Sequence, residues 1–298
     1  MKILLLGKNG QVGWELQRSL APLGELIALD FDSPGSLSAD FSKPESLAAT
    51  VRAVAPQIIV NAAAHTAVDK AESEPELART INATAAGVLA REAASLGAWL
   101  AHYSTDYVFD GSGTTPWLEE SPTGPLSVYG QTKLEGENAI RASGVRHLIF
   151  RTSWVYAARG GNFAKTMLKL AKERDRLTVI DDQIGAPTGA DLLADITAQS
   201  LRTALQRADV SGTYHAVASG LTSWHGYAKH VIEFARQHGQ PIKVAAQAIE
   251  PVPTSAFPTP AKRPSNSRMN TSKLRDTFGF TLPAWEAGVD RMLTEVLS

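Results

Sequence analysis

The chain has 298 residues, enough for one large α/β domain or two smaller ones. Hydrophobic residues make up 44% and charged residues 20%, with a formal net charge of -1 and a pI near 6.7. This balance argues against a basic nucleic-acid surface or a polybasic membrane anchor, and the absence of cysteine excludes disulfides, thiolate metal sites and Cys nucleophiles.

The chain opens with "MKILLLGKNG". Its apolar run, Ile3 to Leu6, is too short for a secretory leader and reads as a buried strand. No window resembles a membrane span. The expected setting is cytoplasmic. Four further short apolar runs follow: "LIAL" (26–29), "QIIVNAA" (57–63), "WLAHYS" (99–104) and "HLIFRTS" (147–153). None alternates in and out, as expected of strands buried on both faces. Between them lie "QVGWELQRSLAPLG", "PESLAATVRAVAP", "PELARTINATAAGVLAREAASLG" and "SVYGQTKLEGENAIRASG", each with helical spacing and an end near Gly or Pro. The alternation predicts an α/β, doubly wound parallel sheet of Rossmann type over residues 1–153.

The second half is less regular. "NFAKTMLKLAKE" reads as a helix, "LTVI" (177–180) as a strand and "ADLLADITAQSLRTAL" as a long helix. Residues 177–207 are expected to return to the first domain. Otherwise 154–298 form mainly a smaller substrate-binding domain. After "GTYHAVA" comes the helix "SWHGYAKHVIEFARQHG". The segment 251–264 holds five prolines and cannot be regular helix or central strand. It reads as an ordered loop beside a ligand cleft. "TFGFTLPAWEAGVDRMLTEVL" then resumes the folded pattern.

Gly7, Gly10 and Gly13 follow the first strand directly. Glycines allow a tight turn and close approach of a phosphate to the backbone, and the next helix offers free N–H groups. The spacing is G-x-x-G-x-x-G, not the G-x-G-x-x-G dinucleotide fingerprint, but its strand–helix context points to a dinucleotide. Asp30 ends the second strand, where a carboxylate can accept both ribose hydroxyls and repel a 2′-phosphate. A turn cap is the other reading. Asp40 and Phe41 are placed to flank an adenine, and the small residues of "NAAAH" (61–65) leave room for a cofactor at a strand end. Tyr129 and Lys133 stand one helical turn apart. Alone they do not separate a surface contact from a proton-transfer pair. Behind them "HYSTDYVFDG" (102–111) supplies a strand-end hydroxyl, which completes a triad able to protonate a reduced carbonyl oxygen. Lys133, together with the nicotinamide charge after hydride transfer, is expected to lower the Tyr129 pKa, and Lys133 is also expected to bind the nicotinamide ribose. His65, His102 and His225 lack metal-ligand spacing. "DKAESEPE" (69–76) reads as a solvated helix start.

"GKNGQVGWEL", "NAAAHTAVDKAESEP", "HYSTDYVFDG", "VYGQTKLEGE", "FRTSWVY", "NFAKTML" with "QIGAPT", and "RPSNSRMNT" together resemble the extended short-chain dehydrogenase/reductases. Within them the chain looks like a sugar-nucleotide reductase. The resemblance implies NADH or NADPH held by Gly10, Gln11, Val12, Asp30, Asp40, Phe41, Ala63, Ala64 and Tyr103, beside Gly7 and Gly13. It implies catalysis by Thr105, Tyr129 and Lys133, the last two also touching cofactor, a substrate contacted by Thr105, Asp106 and Trp154, and a place near the sugar for "DKAESEPE". The forked guanidinium groups of Arg263 and Arg268 suit a pyrophosphate. It further implies a homodimer with magnesium at acidic residues, for which Glu15, Asp191 and Glu295 are the candidates, Asp191 being shorter than the Glu expected. The implied reaction is reduction of the C4 ketone of a dTDP-linked 4-keto-6-deoxy sugar. An epimerase or dehydratase of the same superfamily and a non-catalytic regulatory subunit are the alternatives, and the intact triad argues against the latter.

Overall fold

The computed structural model describes residues 1–298. In chain order the first half runs β1 (Lys2–Leu6), α1 (Gln11–Leu20), β2 (Glu25–Leu29), α2 (Pro44–Val54), β3 (Ile58–Asn61), α3 (Val68–Ser73), α4 (Pro75–Arg79), α5 (Ala85–Leu96), β4 (Trp99–Thr105), α6 (Val128–Ala142) and β5 (Arg146–Thr152). The second half runs β6 (Val155–Tyr156), α7 (Phe163–Glu173), β7 (Leu177–Ile180), β8 (Ile184–Gly185), β9 (Thr188–Gly189), α8 (Ala190–Ala204), β10 (Gly212–His215), β11 (Thr222–Ser223), α9 (Trp224–Gln237), β12 (Ile249–Val252), α10 (Ser272–Phe278) and α11 (Trp285–Leu297).

The central sheet has six strands in the order β10-β5-β4-β3-β1-β2, all parallel. Residues of β1 alternate between its two faces. Ile3 and Leu5 join Leu16 and Leu20 of α1 and Leu193 and Leu201 of α8 in one core. Leu4 and Leu6 meet Leu47 of α2, Leu89 of α5 and Ile140 of α6 in the other. A strand apolar at every position is therefore what a sheet covered on both sides requires. A third core joins α7, α9 and α11 through residues such as Leu168, Tyr227, Val231 and Val289.

Three features differ from the sequence reading. The sheet gains a sixth strand, β10, from "GTYH" in the second half. Of the segment expected to return to the first domain, α8 covers the sheet, whereas β7 pairs with β12 outside it. Pro251 sits inside β12 in that two-stranded ribbon, a place compatible with its missing N–H. The long helix expected from Pro75 is also interrupted, by a π-helical turn at Thr80–Thr84.

Strand order reverses between β1 and β3: α1 carries the chain outward to β2, and α2 carries it back to β3. Such a switch point opens a crevice at the carboxyl ends of the strands. Gly7, Asp30, the residues after Asn61, Thr105 and Thr152 all lie at those ends.

Candidate active site

A cavity of about 740 Å³ opens over these strand ends. On the β1–β3 side it is lined by Gly7, Gly10, Gln11 and Val12, by Asp30, Asp40 and Phe41, and by Ala63 and Ala64. On the β4–β5 side it is lined by Tyr103, Thr105, Asp106, Tyr129, Lys133 and Trp154. Of the residues expected to touch cofactor, Gly13 alone lies off the lining. It lets α1 approach the turn, since a Cβ on Gly13 would stand 1.9 Å from the Gly7 carbonyl oxygen. Gly7 has φ +85°, and its Cβ would lie 2.7 Å from the Ala63 nitrogen. A side chain there would both strain the turn and fill the crevice.

These features fit a dinucleotide. Gly10 begins α1 without a side-chain cap, which leaves first-turn amides for a phosphate. Asp30 accepts the Asn9 amide at 2.9 Å through Oδ2 and the Phe31 amide at 2.8 Å through Oδ1. Each carboxylate oxygen retains a lone pair for a ribose hydroxyl. No Arg lines the cavity beside Asp30 to take a 2′-phosphate.

The opposite wall carries the acid–base groups. Ser127 caps α6, accepting the Gly130 amide at 3.2 Å, and so starts the helix one residue before the turn that holds Tyr129. Thr105 ends β4; its hydroxyl donates to Asp106 Oδ1 at 3.0 Å and accepts the Tyr107 amide at 3.2 Å. The Tyr129 phenol is pushed up to about 12 by burial, with the nearby Thr105 hydroxyl opposing the rise and the Asp106 charge adding to it. Lys133 contributes nothing to this value; the expected lowering belonged to Lys133 joined by the nicotinamide charge after hydride transfer. The Lys133 amine turns instead to the Tyr103 carbonyl oxygen, at 2.6 Å, and lies 3.3 Å from His102 Nε2. Burial brings Lys133 down to about 8, with Glu137 opposing. Tyr129 is thus a protonated acid at neutral pH, the form needed to give a proton to a developing alkoxide. Asp106, buried and accepting Ser267 Oγ at 2.5 Å, is itself pushed up to about 6 by desolvation.

The π turn explains how the two walls keep their spacing. It aims Asn82 inward, where its Oδ1 accepts the His65 amide at 2.8 Å and its Nδ2 donates to Thr132 Oγ1 at 3.1 Å. One side chain thereby ties the loop after β3 to α6, beside Lys133. Single π turns of this kind recur at functional sites.

Sequence reasoning missed Trp224, which stacks on Trp154 with ring centroids 3.7 Å apart and lines the same cavity. Trp154 holds a left-handed backbone, φ 50°, a strained conformation that the surrounding packing must impose. Trp224 begins a helix 70 residues later, and no local pattern links the two. Phe31, next to Asp30, also lines the cavity, although it is 74% exposed. Its signal was only its position after Asp30.

Arg263 does not line the cavity. It forks onto Asp69 at 2.8 and 3.2 Å, at the edge of the site. Arg268 bonds to Asn266 Oδ1 at 3.1 Å. The proline-rich loop is thereby drawn across "DKAESEPE", so the acidic helix start is a docking point and not merely a solvated face.

Glu15, Asp191 and Glu295 do share one small pocket of about 30 Å³. It also contains Arg291, which is ion-paired with Asp191. No group of three or more His, Asp or Glu side chains is arranged to hold a metal. Within one chain these carboxylates make no metal cluster, since Asp191 is paired with Arg291; the expected magnesium was one held at a dimer interface.

Comparison with known proteins places this geometry. The family model described as the RmlD substrate binding domain matches residues 1–298. The dTDP-4-dehydrorhamnose reductase of Escherichia coli (strain K12) is 60% identical over 298 residues, covering 100% of this chain and 99% of that protein. Among solved structures, a dTDP-4-dehydrorhamnose reductase from Clostridium acetobutylicum superposes with a TM-score of 0.88 at 36% identity, covering 100% of both chains. The Bacillus anthracis dTDP-4-dehydrorhamnose reductase in complex with NADP superposes with a TM-score of 0.86 at 34% identity, covering 99% of each.

Proposed function

The chain belongs to the RmlD family of dTDP-4-dehydrorhamnose reductases, and from that premise we propose how its own residues reduce the C4 ketone of dTDP-4-dehydro-L-rhamnose to give dTDP-L-rhamnose. It is an oxidoreductase that uses NAD(P)H. The observation that carries the reading is the single cavity with a glycine turn on one wall and Thr105, Tyr129 and Lys133 on the other.

Bound NADH or NADPH supplies the hydride. Gly7, Gly10 and the first turn of α1 hold the pyrophosphate, and Asp30 takes the adenosine ribose. Tyr129 donates its proton to the oxygen of the C4 carbonyl as charge develops there, and Thr105 adds a second hydrogen bond. Lys133 orients the nicotinamide ribose. Trp154 and Trp224 form an apolar wall against the sugar, and Asp106 accepts a sugar hydroxyl. Residues 154–298 contribute most of the sugar side, with α8 and β10 returning to the dinucleotide side. The enzyme acts in the cytoplasm as a homodimer. No helix is long and apolar enough to cross a membrane.

The test is consumption of reduced nicotinamide on adding the keto sugar nucleotide, with one cofactor oxidised per sugar reduced. Interconversion of sugars without net cofactor loss would identify an epimerase instead, and no sugar-dependent decay with either cofactor would defeat the reading.

A further inference from the structure

Behind the catalytic wall lies a chain of hydrogen bonds that the reaction as described does not use. It begins at the backbone amide of Ala63, which donates to Asn61 Oδ1 at 3.1 Å. Asn61 Nδ2 lies 3.0 Å from His102 Nδ1. His102 Nε2 lies 3.3 Å from Lys133 Nζ. Asn61 and His102 are buried, at 2% and 1% exposure.

The direction of this chain is set at one end. A backbone N–H can only donate, so the Asn61 carbonyl oxygen must face Ala63 and its NH₂ must face His102. His102 Nδ1 is then the acceptor. A neutral imidazole has one N–H, which therefore sits on Nε2 and points at Lys133. Burial, the largest cause, holds His102 well below its ordinary value, so the ring is neutral. A neutral Lys133 amine satisfies every partner: it donates to the Tyr103 carbonyl, keeps one N–H for the cavity, and accepts from His102. An ammonium would meet the His102 N–H with a third N–H.

We propose that His102 is a positioning residue: oriented by Asn61, it presents an N–H to Lys133 and thereby sets both the direction of the Lys133 head and its protonation. The ammonium form must swing away from His102 toward the cavity, where the nicotinamide ribose is expected. Protonation and ribose binding then become one event. The other charges facing Lys133 do not supply this direction. Glu137, on α6, is held by both arms of Arg151 from β5, at 2.9 and 2.7 Å, and by Arg141 at 3.0 Å. Tyr129 of α6 is un-ionised, and Asp106 acts on it from the end of β4. His147, from β5, stands behind His102.

This inference rests on the reductase reading, and its test separates the two. Histidine ¹⁵N chemical shifts of the full-length protein report the tautomer without any turnover. His102 is expected as the Nε2–H form in the wild type and as the Nδ1–H form in Asn61→Asp, where a carboxylate accepts from the ring. The signal is assigned by its loss in His102→Phe. In the same proteins the pH profile of kcat with NADH and the keto sugar nucleotide is expected to show its alkaline limb about one unit higher in Asn61→Asp than in wild type, because Lys133 there keeps its proton. A wild-type His102 in the Nδ1–H form would overturn the proposal even if Asn61→Asp failed to fold, as would an unmoved limb in folded Asn61→Asp. An inactive wild type showing the Nε2–H tautomer would instead count against the reductase reading.

Discussion

Arg263 and Asp69 lie 194 positions apart and form a forked ion pair at 2.8 and 3.2 Å. The pair draws the loop after Pro260 over the start of α3, and three residues further on Asn266 and Ser267 pack against Gly111 and Asp106. Asp69 is held below its ordinary value by the Arg263 bonds, against a small desolvation cost. Because its side chain is 42% exposed, the pair itself is worth about 0–1 kcal/mol. Asp69→Asn is therefore expected to change the melting temperature little while raising KM for the sugar nucleotide severalfold, as the loop that seats Ser267 loosens. Thermal melts and initial rates decide it; an unchanged KM would confine the pair to the surface.

Tyr129→Phe should fold and bind cofactor as the wild type does, since the phenol makes no bond on which the α6 backbone depends. Its kcat is expected to fall by about 10²–10⁴-fold, the scale of a lost positioned acid. Cofactor titration by fluorescence and single-turnover rates separate the two effects. Turnover near the wild-type rate would remove Tyr129 from its role.

Asp30→Ala is expected to raise kcat/KM for NADPH relative to NADH, because a carboxylate that repels the 2′-phosphate is gone. The Asn9 and Phe31 amides lose their acceptor at the same time, so both absolute values should fall. The ratio carries the information. If it stays constant, Asp30 serves the turn alone.

Glu137 is fully buried between Arg151 and Arg141. Burial pushes its carboxyl up, but the Arg151 bonds and the charges of both arginines bring it below the ordinary 4.5. A carboxyl depressed in the folded state adds stability above its unfolded pKa, and that stability is lost as pH falls through the lower folded value. Glu137→Gln is expected to destabilise by about 3–5 kcal/mol at neutral pH, because it leaves Arg151 buried without a counter-charge. The gap from wild type should narrow below about pH 4.5. Denaturant melts between neutral pH and pH 3 measure it; a gap independent of pH would show that packing, not charge, holds the site.

The sequence by itself determined the doubly wound sheet and most of the residues that line the cavity. Strands built on short unbroken apolar runs, helices of regular period, a glycine turn after β1 and a Tyr–Lys pair one helical turn apart are local patterns, each set by residues within a few positions of one another. The same locality explains what was missed. β10 has only four residues and is recognised as a strand by its pairing with β5. Trp224 reaches the cavity by stacking on Trp154, and Arg263 finds its ion-pair partner in the distant Asp69. Burial also governs the ionisation of both Tyr129 and Lys133. Burial, and the partner that claims a charged or hydrogen-bonding group, depend on segments distant in the chain that leave no periodicity behind. Only tertiary packing decided that His102, passed over as a histidine without metal-ligand spacing, would meet Lys133 in the interior.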